Sequence, residues 1–246
     1  VGGAVRNLQL GRDPVDFDFA TDATPEEVMT IFRRVLPTGI QHGTVTVLFK
    51  GAQYEVTTFR TESDYSDGRH PDSVDYASTI EEDLGRRDFT INAMALELPS
   101  GELEDPYRGR EDLKRGVVRA IGDPKKRFHE DGLRVLRAIR FAAQLDFQIE
   151  ERTFSAMREE AERLSKVAKE RIRDELEKSL LSDQPARALR LLREAELLPY
   201  TIPELTETIG RSQGSDSDYD LFEHTALVTQ FVPPKLELRL AALFHD

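Results

Sequence analysis

The chain has 246 residues, of which 33% are charged and 39% hydrophobic, and its formal net charge is −12. This length suits about two globular domains, and no apolar run reaches the roughly 20 residues of a membrane-spanning helix. The absence of cysteine excludes a disulfide framework and favours the cytoplasm. The negative charge excludes indiscriminate binding of polyanions, so contacts with nucleic acid must come from local basic patches.

Segment 2–18 places two glycines and an arginine ahead of the acidic run DFD. If residues 14–20 form a strand, Asp16 and Asp18 share one face, where like charges repel unless a cation lies between them. Mg²⁺ is usually held by one or two carboxylates plus substrate phosphates. The glycines let backbone N–H groups approach phosphate oxygens, and Arg6 can bind a phosphate through two hydrogen bonds. The pattern predicts a metal-dependent site for a nucleoside triphosphate; the alternative is a glycine turn into a strand with a solvated acidic face.

The next segments predict regular structure beside this site. Residues 21–36 contain a capping threonine, a proline at the first helical position and an apolar stripe, which predicts an amphipathic helix. Residues 44–50 and 53–59 are β-branched and aromatic runs around a Gly-Ala pair, which predicts a hairpin. Glu55 in the second run is either a third carboxylate near the two aspartates or an exposed strand residue.

Residues 61–84 are polar and acidic, with a glycine and a proline midway. A structureless run of this length inside a domain is usually a functional loop or a disordered insertion. Arg69 and His70 could reach a ligand from it, although solvated side chains are the favoured interpretation.

The block RRDFTINAMA follows at 86–95. Adjacent arginines point to different sides, so one can pair with Asp88 while the other binds a phosphate, and Asn92 can bridge backbone or ribose. The alternative is a surface salt bridge. After a strand at 96–98 the strand patterns stop, and we place a domain boundary near 110–122.

Beyond this boundary the pattern is helical, and segment 130–142 is the most informative part. Asp131 and Arg134 are three residues apart and would be neighbours on one helix face, and Arg137 and Arg140 continue that stripe. The rest of the helix is apolar nearly all round, which predicts a core position, yet arginines are rarely buried unless paired. The stripe therefore predicts a wet cleft that holds an anion; the alternative is an exposed basic face.

Asp131 and Arg134 also predict base selection. A carboxylate only accepts hydrogen bonds and a guanidinium only donates them. Side by side they complement an amino group next to a ring-nitrogen acceptor, which cytosine and adenine present and uracil and guanine reverse. Buried polar groups left unpaired would reject the wrong base. The pair thus predicts selection of C and A without a nucleic-acid template.

The remaining segments predict a helical bundle. Arg171, Arg173 and Glu175 lie at helical spacings, and we interpret them as intrahelical pairs that stabilise the bundle. The predicted elements are helices at 151–165, 168–181 and 187–198 and a Ser/Gly/Asp-rich loop at 210–220.

His224 and the dipeptide His245-Asp246 lie about one helical hairpin apart. Such groups on successive helices can bind a metal in phosphohydrolases, but a fourth ligand is needed. The chain opens on Val1 without a methionine and ends within an apolar helical pattern. We therefore expect it to be part of a longer protein that supplies the missing ligand.

Five blocks occur in order: GGAVRN…DFDFA, RRDFTINAMA, DPYRGREDLKRGVVR, EDGLRVLRAIRFAAQLDF and RIRDELEK. Together they resemble the bacterial class II CCA-adding enzymes of the tRNA nucleotidyltransferase and poly(A) polymerase family, over nearly the whole chain. The resemblance implies an α+β fold, with a nucleotidyltransferase-type mixed sheet and flanking helices in the head, followed by an all-helical neck and body. The implied domains are a catalytic head at 1–115, a base-recognition neck at 116–183 and a partial body at 184–246, whose FEHT…LFHD ending is similar to an HD-type domain.

By the same resemblance, Asp16 and Asp18 would hold two catalytic Mg²⁺ ions, and Glu55 is a further candidate catalytic carboxylate from its place in the hairpin. Asn7 stands where the family usually has an aspartate. The motifs and the resemblance together predict a set of nucleotide-binding residues: Gly2, Gly3, Arg6, Arg87, Asp88 and Asn92 in the head, and Asp131, Arg134, Arg137 and Arg140 in the neck.

The implied activity is template-independent addition of C, A or both to the 3′ end of tRNA from CTP and ATP, with release of pyrophosphate. The expected partner is tRNA, bound at its 3′ end and acceptor stem, without a membrane. Relatives that add only CC lack the long head loop that 61–84 supplies, so full CCA or A-only addition is favoured, and poly(A) polymerases share the same blocks. An HD-type metal-dependent phosphohydrolase is the alternative of another class, and the net charge of −12 disfavours a pure RNA-binding module.

Overall fold

The computed structural model describes residues 1–14, 16–63, 73–212 and 219–246. The described residues form two compact units: unit 1 extends to Arg115 and includes Arg119–Ile121, and unit 2 holds Gly116–Val118 and Gly122–Asp246. Small sheets accompany many helices, which confirms the predicted α+β class. No helix in these ranges combines the length and apolar composition needed to cross a bilayer.

A four-stranded mixed sheet organises unit 1. Its strands are β1 (Asp18–Thr21), β2 (Val35–Leu36), β3 (Thr44–Phe49) and β4 (Ala52–Thr58). They lie in the order β1-β4-β3-β2, with β1 parallel to β4 and the other pairs antiparallel. The predicted hairpin is confirmed as β3 and β4, and Gly51 in its turn has φ 83°, which glycine adopts without strain.

The predicted strand at 14–20 is wrong in its first half. The parallel ladder between β1 and β4 begins with the Asp18–Glu55 pair, so the strand starts at Asp18. Asp16 lies before the strand and is exposed, and Val15 lies outside the described residues. The alternation of apolar and acidic residues therefore begins before the segment that pairs with β4.

Two short helices belong to this part of unit 1: α1 (Gly3–Gln9) and α2 (Pro25–Ile31). Thr24 and Glu27 form a reciprocal capping box at the start of α2, as its sequence predicts. Val28 of α2 packs against Val45 and Val47 of β3. The helix is shorter than the predicted 21–36, because the chain turns into β2 soon after α2 ends.

The acidic segment 61–84 is more regular than predicted at both of its ends. Strands β5 (Arg60–Ser63) and β6 (Ser73–Tyr76) pair antiparallel, and α3 (Ile80–Gly85) starts with a capping box at Thr79. Arg69 and His70 lie outside the described residues. The last elements of unit 1 are β7 (Ala95–Leu96), β8 (Leu103–Glu104) and α4 (Gly109–Arg115).

The RRDFTINAMA block is anchored to α4 by buried groups. The Thr90 hydroxyl donates to Asp112 at 2.7 Å, and Arg119 donates to the same carboxylate. A Cβ at Gly109 would lie 2.2 Å from the Thr90 carbonyl oxygen, so only glycine allows this approach. These contacts fix the block that carries Arg86 and Arg87.

Unit 2 is a helical bundle with one short parallel strand pair. The elements are β9 (Val117–Val118), α5 (Pro124–Glu130), α6 (Arg134–Leu145), β10 (Gln148–Ile149), α7 (Glu151–Glu159), α8 (Lys169–Leu180), α9 (Pro185–Glu194), α10 (Leu198–Thr201), α11 (Leu221–Phe231) and α12 (Leu236–Leu243). Helix α6 packs against α8 and α9, α11 packs against α9 and α12, and α5 packs against α7. Strand β9 pairs with β10, which the sequence did not predict.

The predicted continuous helix at 130–142 is wrong. Asp131 ends α5 in an extended conformation, and α6 starts at Arg134. Gly132 lies between them against the backbone of Arg163, where an added Cβ would be 3.0 Å from the nearest atoms. Asp131 and Arg134 therefore do not share a helix face, because a close backbone approach interrupts the helix.

Candidate active site

A cavity of about 250 Å³ lies in unit 1 beside β1 and β4. Asp18 and Glu55, which are direct neighbours in the parallel ladder, line it. Arg60, Arg86 and Arg87 line the same cavity. Carboxylates supply the hard oxygen ligands of Mg²⁺, and guanidinium groups bind phosphate oxygens. The cavity therefore has the chemistry to bind a divalent cation together with a polyphosphate.

The side chains of Asp18 and Glu55 form no hydrogen bond or ion pair with another side chain in the described part of the chain. Their oxygens thus fit a magnesium ion as ligands. Asp16 is exposed and is not among the described residues that line the cavity. Among the residues whose positions are described, no compact group of three metal ligands is formed by Asp16, Asp18 and Glu55.

Asp83 of α3 holds both arginines of the RRD motif. Its Oδ1 accepts a hydrogen bond from Arg86 Nε at 2.9 Å, and its Oδ2 lies 3.6 Å from Arg87 Nη2. Burial lowers the pKa of Arg87, and the negative charge of Asp83 opposes this shift. Gly2 has φ 66°, and a Cβ there would lie 2.5 Å from Arg87 Nη1. The first glycine of the sequence therefore makes room for an arginine.

Arg6 of α1 belongs to a polar network with Asn92 and Asp88. Its Nη1 donates to Asn92 Oδ1 at 2.6 Å, and Asn92 Nδ2 donates to Asp88 Oδ1 at 3.1 Å. Asn7 Oδ1 accepts from Arg6 Nε and Nη2 at 3.3 and 3.1 Å, so an amide oxygen serves as the acceptor there. Asn92 and Asp88 are 6% and 7% exposed, so the network orients Arg6 from within the fold.

The cavity brings together only part of the predicted head site. It contains Asp18, Glu55 and Arg87. Gly2 lies against Arg87, but it is not among the described residues that line the cavity. The other predicted head residues also do not line it in the described part of the chain: Asp16, Gly3, Arg6, Asp88 and Asn92.

In unit 2, Asp131 and Arg134 bond to different partners. Arg171 of α8 donates to both oxygens of Asp131, at 2.8 and 3.3 Å. Arg134, which is 8% exposed, donates to Glu130 Oε2 at 2.7 Å and to the Arg127 carbonyl at 3.1 Å. Each side chain is thus oriented by another residue.

Arg137 and Arg140 both stack on the Phe141 ring, with guanidinium carbons 5.4 and 4.1 Å from the ring centroid. Arg140 Nε also donates to the buried Glu175 of α8 at 2.5 Å. The interpretation of Arg171 and Glu175 as intrahelical partners is wrong for Arg171, which pairs with Asp131 outside α8. Glu175 has an intrahelical partner in Lys178, at 3.6 Å, in addition to Arg140 of α6. Arg173 does pair within its own helix.

His224 of α11 and the two residues after α12 form a compact cluster. His224, His245 and Asp246 each offer a ligand atom, and these atoms lie within 4.8 Å of one another. His245 Nδ1 lies 2.8 Å from the Ala242 carbonyl oxygen, which favours a proton on Nδ1 and an acceptor at Nε2. The cluster has the ligand types of a transition-metal site.

Sequence reasoning missed Arg60 and Asp83. Arg60 is the first residue of β5, and no local pattern distinguishes it from an exposed strand residue. Asp83 could have been found, because it lies three and four residues before Arg86 and Arg87, the spacing of helical ion pairs.

Known proteins match most of the chain. The family model described as "Poly A polymerase head domain" matches residues 1–119, and "Probable RNA and SrmB- binding site of polymerase A" matches residues 146–209. A CCA-adding enzyme of Lactobacillus helveticus is 50% identical over 197 residues, which cover 80% of this chain and 49% of the relative. A CCA-adding enzyme of Enterococcus faecalis is 50% identical over 207 residues, covering 84% and 50%.

Solved structures give the same result. The crystal structure of the Bacillus stearothermophilus CCA-adding enzyme in complex with CTP has a TM-score of 0.75 and 46% identity, covering 81% of this chain and 48% of that one. The Thermotoga maritima CCA-adding enzyme complexed with tRNA has a TM-score of 0.68 and 28% identity, covering 98% and 60%. The chain spans about half the length of the curated relatives it matches. From its motifs, its fold and these matches, the chain belongs to the tRNA nucleotidyltransferase and poly(A) polymerase family.

Proposed function

We propose that this chain carries the nucleotidyl-transfer and base-recognition parts of a CCA-adding enzyme. The tRNA 3′ oxygen would attack the α-phosphorus of CTP or ATP, adding one nucleotide and releasing pyrophosphate. The observation that carries the proposal is the cavity in which Asp18 and Glu55 lie with three arginines. The relatives named CCA-adding enzymes, and the similar structures with CTP and tRNA, support these substrates. Because tRNA is the substrate, we place the reaction in the cytoplasm.

Asp18, with Glu55 and Asp16, would hold the Mg²⁺. When bound, Mg²⁺ makes the 3′ hydroxyl a better nucleophile and stabilises the charge of the leaving pyrophosphate. Arg86 and Arg87 donate hydrogen bonds to the phosphate oxygens. Positioning and charge neutralisation supply most of the catalysis in phosphoryl-type transfer, and these residues supply both.

Asp131 and Arg134 would read the base. Asp131 accepts from the exocyclic amino group of cytosine or adenine, and Arg134 donates to the adjacent ring nitrogen. The hydrogen bonds from Arg171 to Asp131 and from Arg134 to Glu130 support this role, because each holds its partner in one orientation. Arg137 and Arg140 would complete the nucleotide-binding surface of α6.

The test uses tRNA that lacks CCA, CA or only the final A, each incubated with CTP alone, ATP alone or both. A CCA-adding enzyme completes all three when both nucleotides are present. An A-only enzyme extends only the tRNA that ends in CC, and a poly(A) polymerase adds many adenylates. Asp18→Ala should abolish incorporation while the fold is retained; incorporation that survives this change, or none in the wild type, would overturn the proposal.

A second activity is favoured by the cluster of His224, His245 and Asp246 in unit 2. We propose that it is part of an HD-type metal site with phosphohydrolase activity. Metal-dependent hydrolysis of a cyclic nucleotide to its nucleoside monophosphate should be lost in His245→Ala and retained in Asp16→Ala. Hydrolysis that is insensitive to His245→Ala would reject the site.

A further inference from the structure

We propose that Asp83 is a positioning residue for nucleotidyl transfer, which orients the side chains of Arg86 and Arg87 for the triphosphate and anchors the backbone of Arg60 beside them. The inference deepens the proposed function and rests on it. Asp83 is not among the described residues that line the cavity, so it would act through the arginines.

The contacts of Asp83 converge on the three arginines from one buried carboxylate. Asp83 is 1% exposed. Its Oδ1 accepts from Arg86 Nε at 2.9 Å and from the backbone N–H of Arg60 at 3.3 Å. Its Oδ2 lies 3.6 Å from Arg87 Nη2. One side chain of α3 therefore connects the start of β5 with both arginines of the RRD motif.

The geometry of the guanidinium group explains why these contacts matter. The group is planar and its donors have a fixed arrangement, so holding Nε sets the direction of the two Nη groups. A buried carboxylate is also unfavourable unless charged or hydrogen-bonded partners surround it. Asp83 and the arginines thus hold one another in place before a phosphate arrives, which reduces the ordering that binding requires.

If Asp83 acted only through its negative charge, its removal would change the affinity for polyphosphate in the opposite direction to that expected for a positioning residue. Removing a negative charge beside three arginines strengthens the attraction for a polyanion. Removing the group that orients them weakens it, because misplaced donors no longer reach the phosphate oxygens. The sign of the change in polyphosphate affinity therefore separates the two roles.

The experiment compares Asp83→Asn with Glu81→Gln, which removes an exposed charge from the same helix. It measures KM for CTP, kcat and the inhibition constant of inorganic tripolyphosphate. In Asp83→Asn we expect the KM and the inhibition constant to rise about tenfold, with a smaller fall in kcat. Glu81→Gln should leave all three values unchanged. An inhibition constant that is unchanged or lower in folded Asp83→Asn would overturn the proposal.

Asp83→Glu keeps the charge but moves the carboxylate by one methylene group, and it serves as the second variant if Asp83→Asn does not fold. We expect it to unfold at nearly the wild-type temperature and to bind tripolyphosphate several-fold more weakly; wild-type affinity in this variant would count against positioning. If the wild type binds tripolyphosphate in an Asp83-dependent way but adds no nucleotide, the proposed function fails and the positioning role stands.

Discussion

The acids that line the cavity of unit 1 and the acids bonded to arginines in unit 2 have different surroundings. In unit 1, Asp18 and Glu55 line a cavity and bond to no other side chain in the described ranges. In unit 2, Glu130, Asp131 and Glu175 each bond to an arginine. An acid without a protein partner keeps its oxygens for a cation, whereas an acid bonded to an arginine stabilises the packing of helices and turns.

This difference predicts how the two kinds of acid respond to substitution. Loss of an exposed acid that bonds to no other side chain removes function and leaves stability nearly unchanged, because no side-chain hydrogen bond or ion pair is broken. Loss of a paired, buried acid leaves an uncompensated charge and destabilises the fold. Each of the following predictions tests one side of the comparison.

The largest expected effect is on catalysis in unit 1. Asp18→Asn removes a ligand charge from the cavity, and we expect nucleotide incorporation to fall about 10²- to 10³-fold. The free energy of unfolding should change by less than about 0.5 kcal/mol, because Asp18 is exposed. Single-turnover incorporation and urea unfolding measure the two quantities. The matched control is Asp13→Asn, an exposed acid nearby, and equal activity in the two variants would break the comparison.

The largest expected effect on stability lies in unit 2. Glu175 is 4% exposed, and Glu175→Gln would remove the carboxylate that pairs with the partly buried Arg140. We expect the free energy of unfolding to fall by about 3 kcal/mol. Glu177→Gln on the same helix breaks only the more exposed pair with Arg173 and should cost less than about 0.5 kcal/mol. Equal losses in denaturant unfolding would show that burial of the pair does not matter.

A smaller effect tests the arginine side of the cavity. Gly2→Ala and Gly11→Ala both place a side chain at positive φ, which costs about 1 kcal/mol. Only the Cβ at Gly2 meets Arg87, at 2.5 Å, whereas nothing lies within 4 Å of the one at Gly11. We therefore expect KM for CTP to rise about tenfold in Gly2→Ala alone. Steady-state kinetics measure the KM of both variants. An equal KM for CTP in Gly2→Ala and Gly11→Ala would argue against a role for Arg87.

The smallest effect is a pH dependence in unit 2. Burial raises the pKa of Asp220, but hydrogen bonds from the backbone N–H groups of Gly210 and Glu223 and the charge of Arg193 outweigh it, so the pKa is lowered. The stability that Asp220 contributes is therefore present above the ordinary carboxyl pKa and lost as the pH falls through the lowered value.

Near neutral pH, the free energy of unfolding of the wild type should exceed that of Asp220→Asn by about 0.5 kcal/mol. The reason is that a carboxylate at the start of α11 also interacts favourably with the helix dipole. The difference should shrink as the pH falls below the ordinary carboxyl pKa and through the lowered pKa of Asp220. Urea unfolding at a series of pH values from neutral to acidic measures it, and a difference that grows on acidification would contradict the assigned direction.

The sequence by itself determined the elements that depend on neighbours in the chain. The capped start of α2 at Thr24 and the hairpin of β3 and β4 arise from contacts a few residues apart. The ordered motifs likewise indicated the family, because each block is continuous in sequence. The DFD motif was recognisable for the same reason.

Tertiary structure decided where these motifs act. The first strand begins at Asp18 because a strand exists only where a partner strand supplies hydrogen bonds, and that partner is β4. The partners of Asp131 and Arg140 lie 40 and 35 residues away, in α8. A charged side chain pairs with whichever opposite charge packing brings within reach, so spacing along the chain could not reveal these pairs.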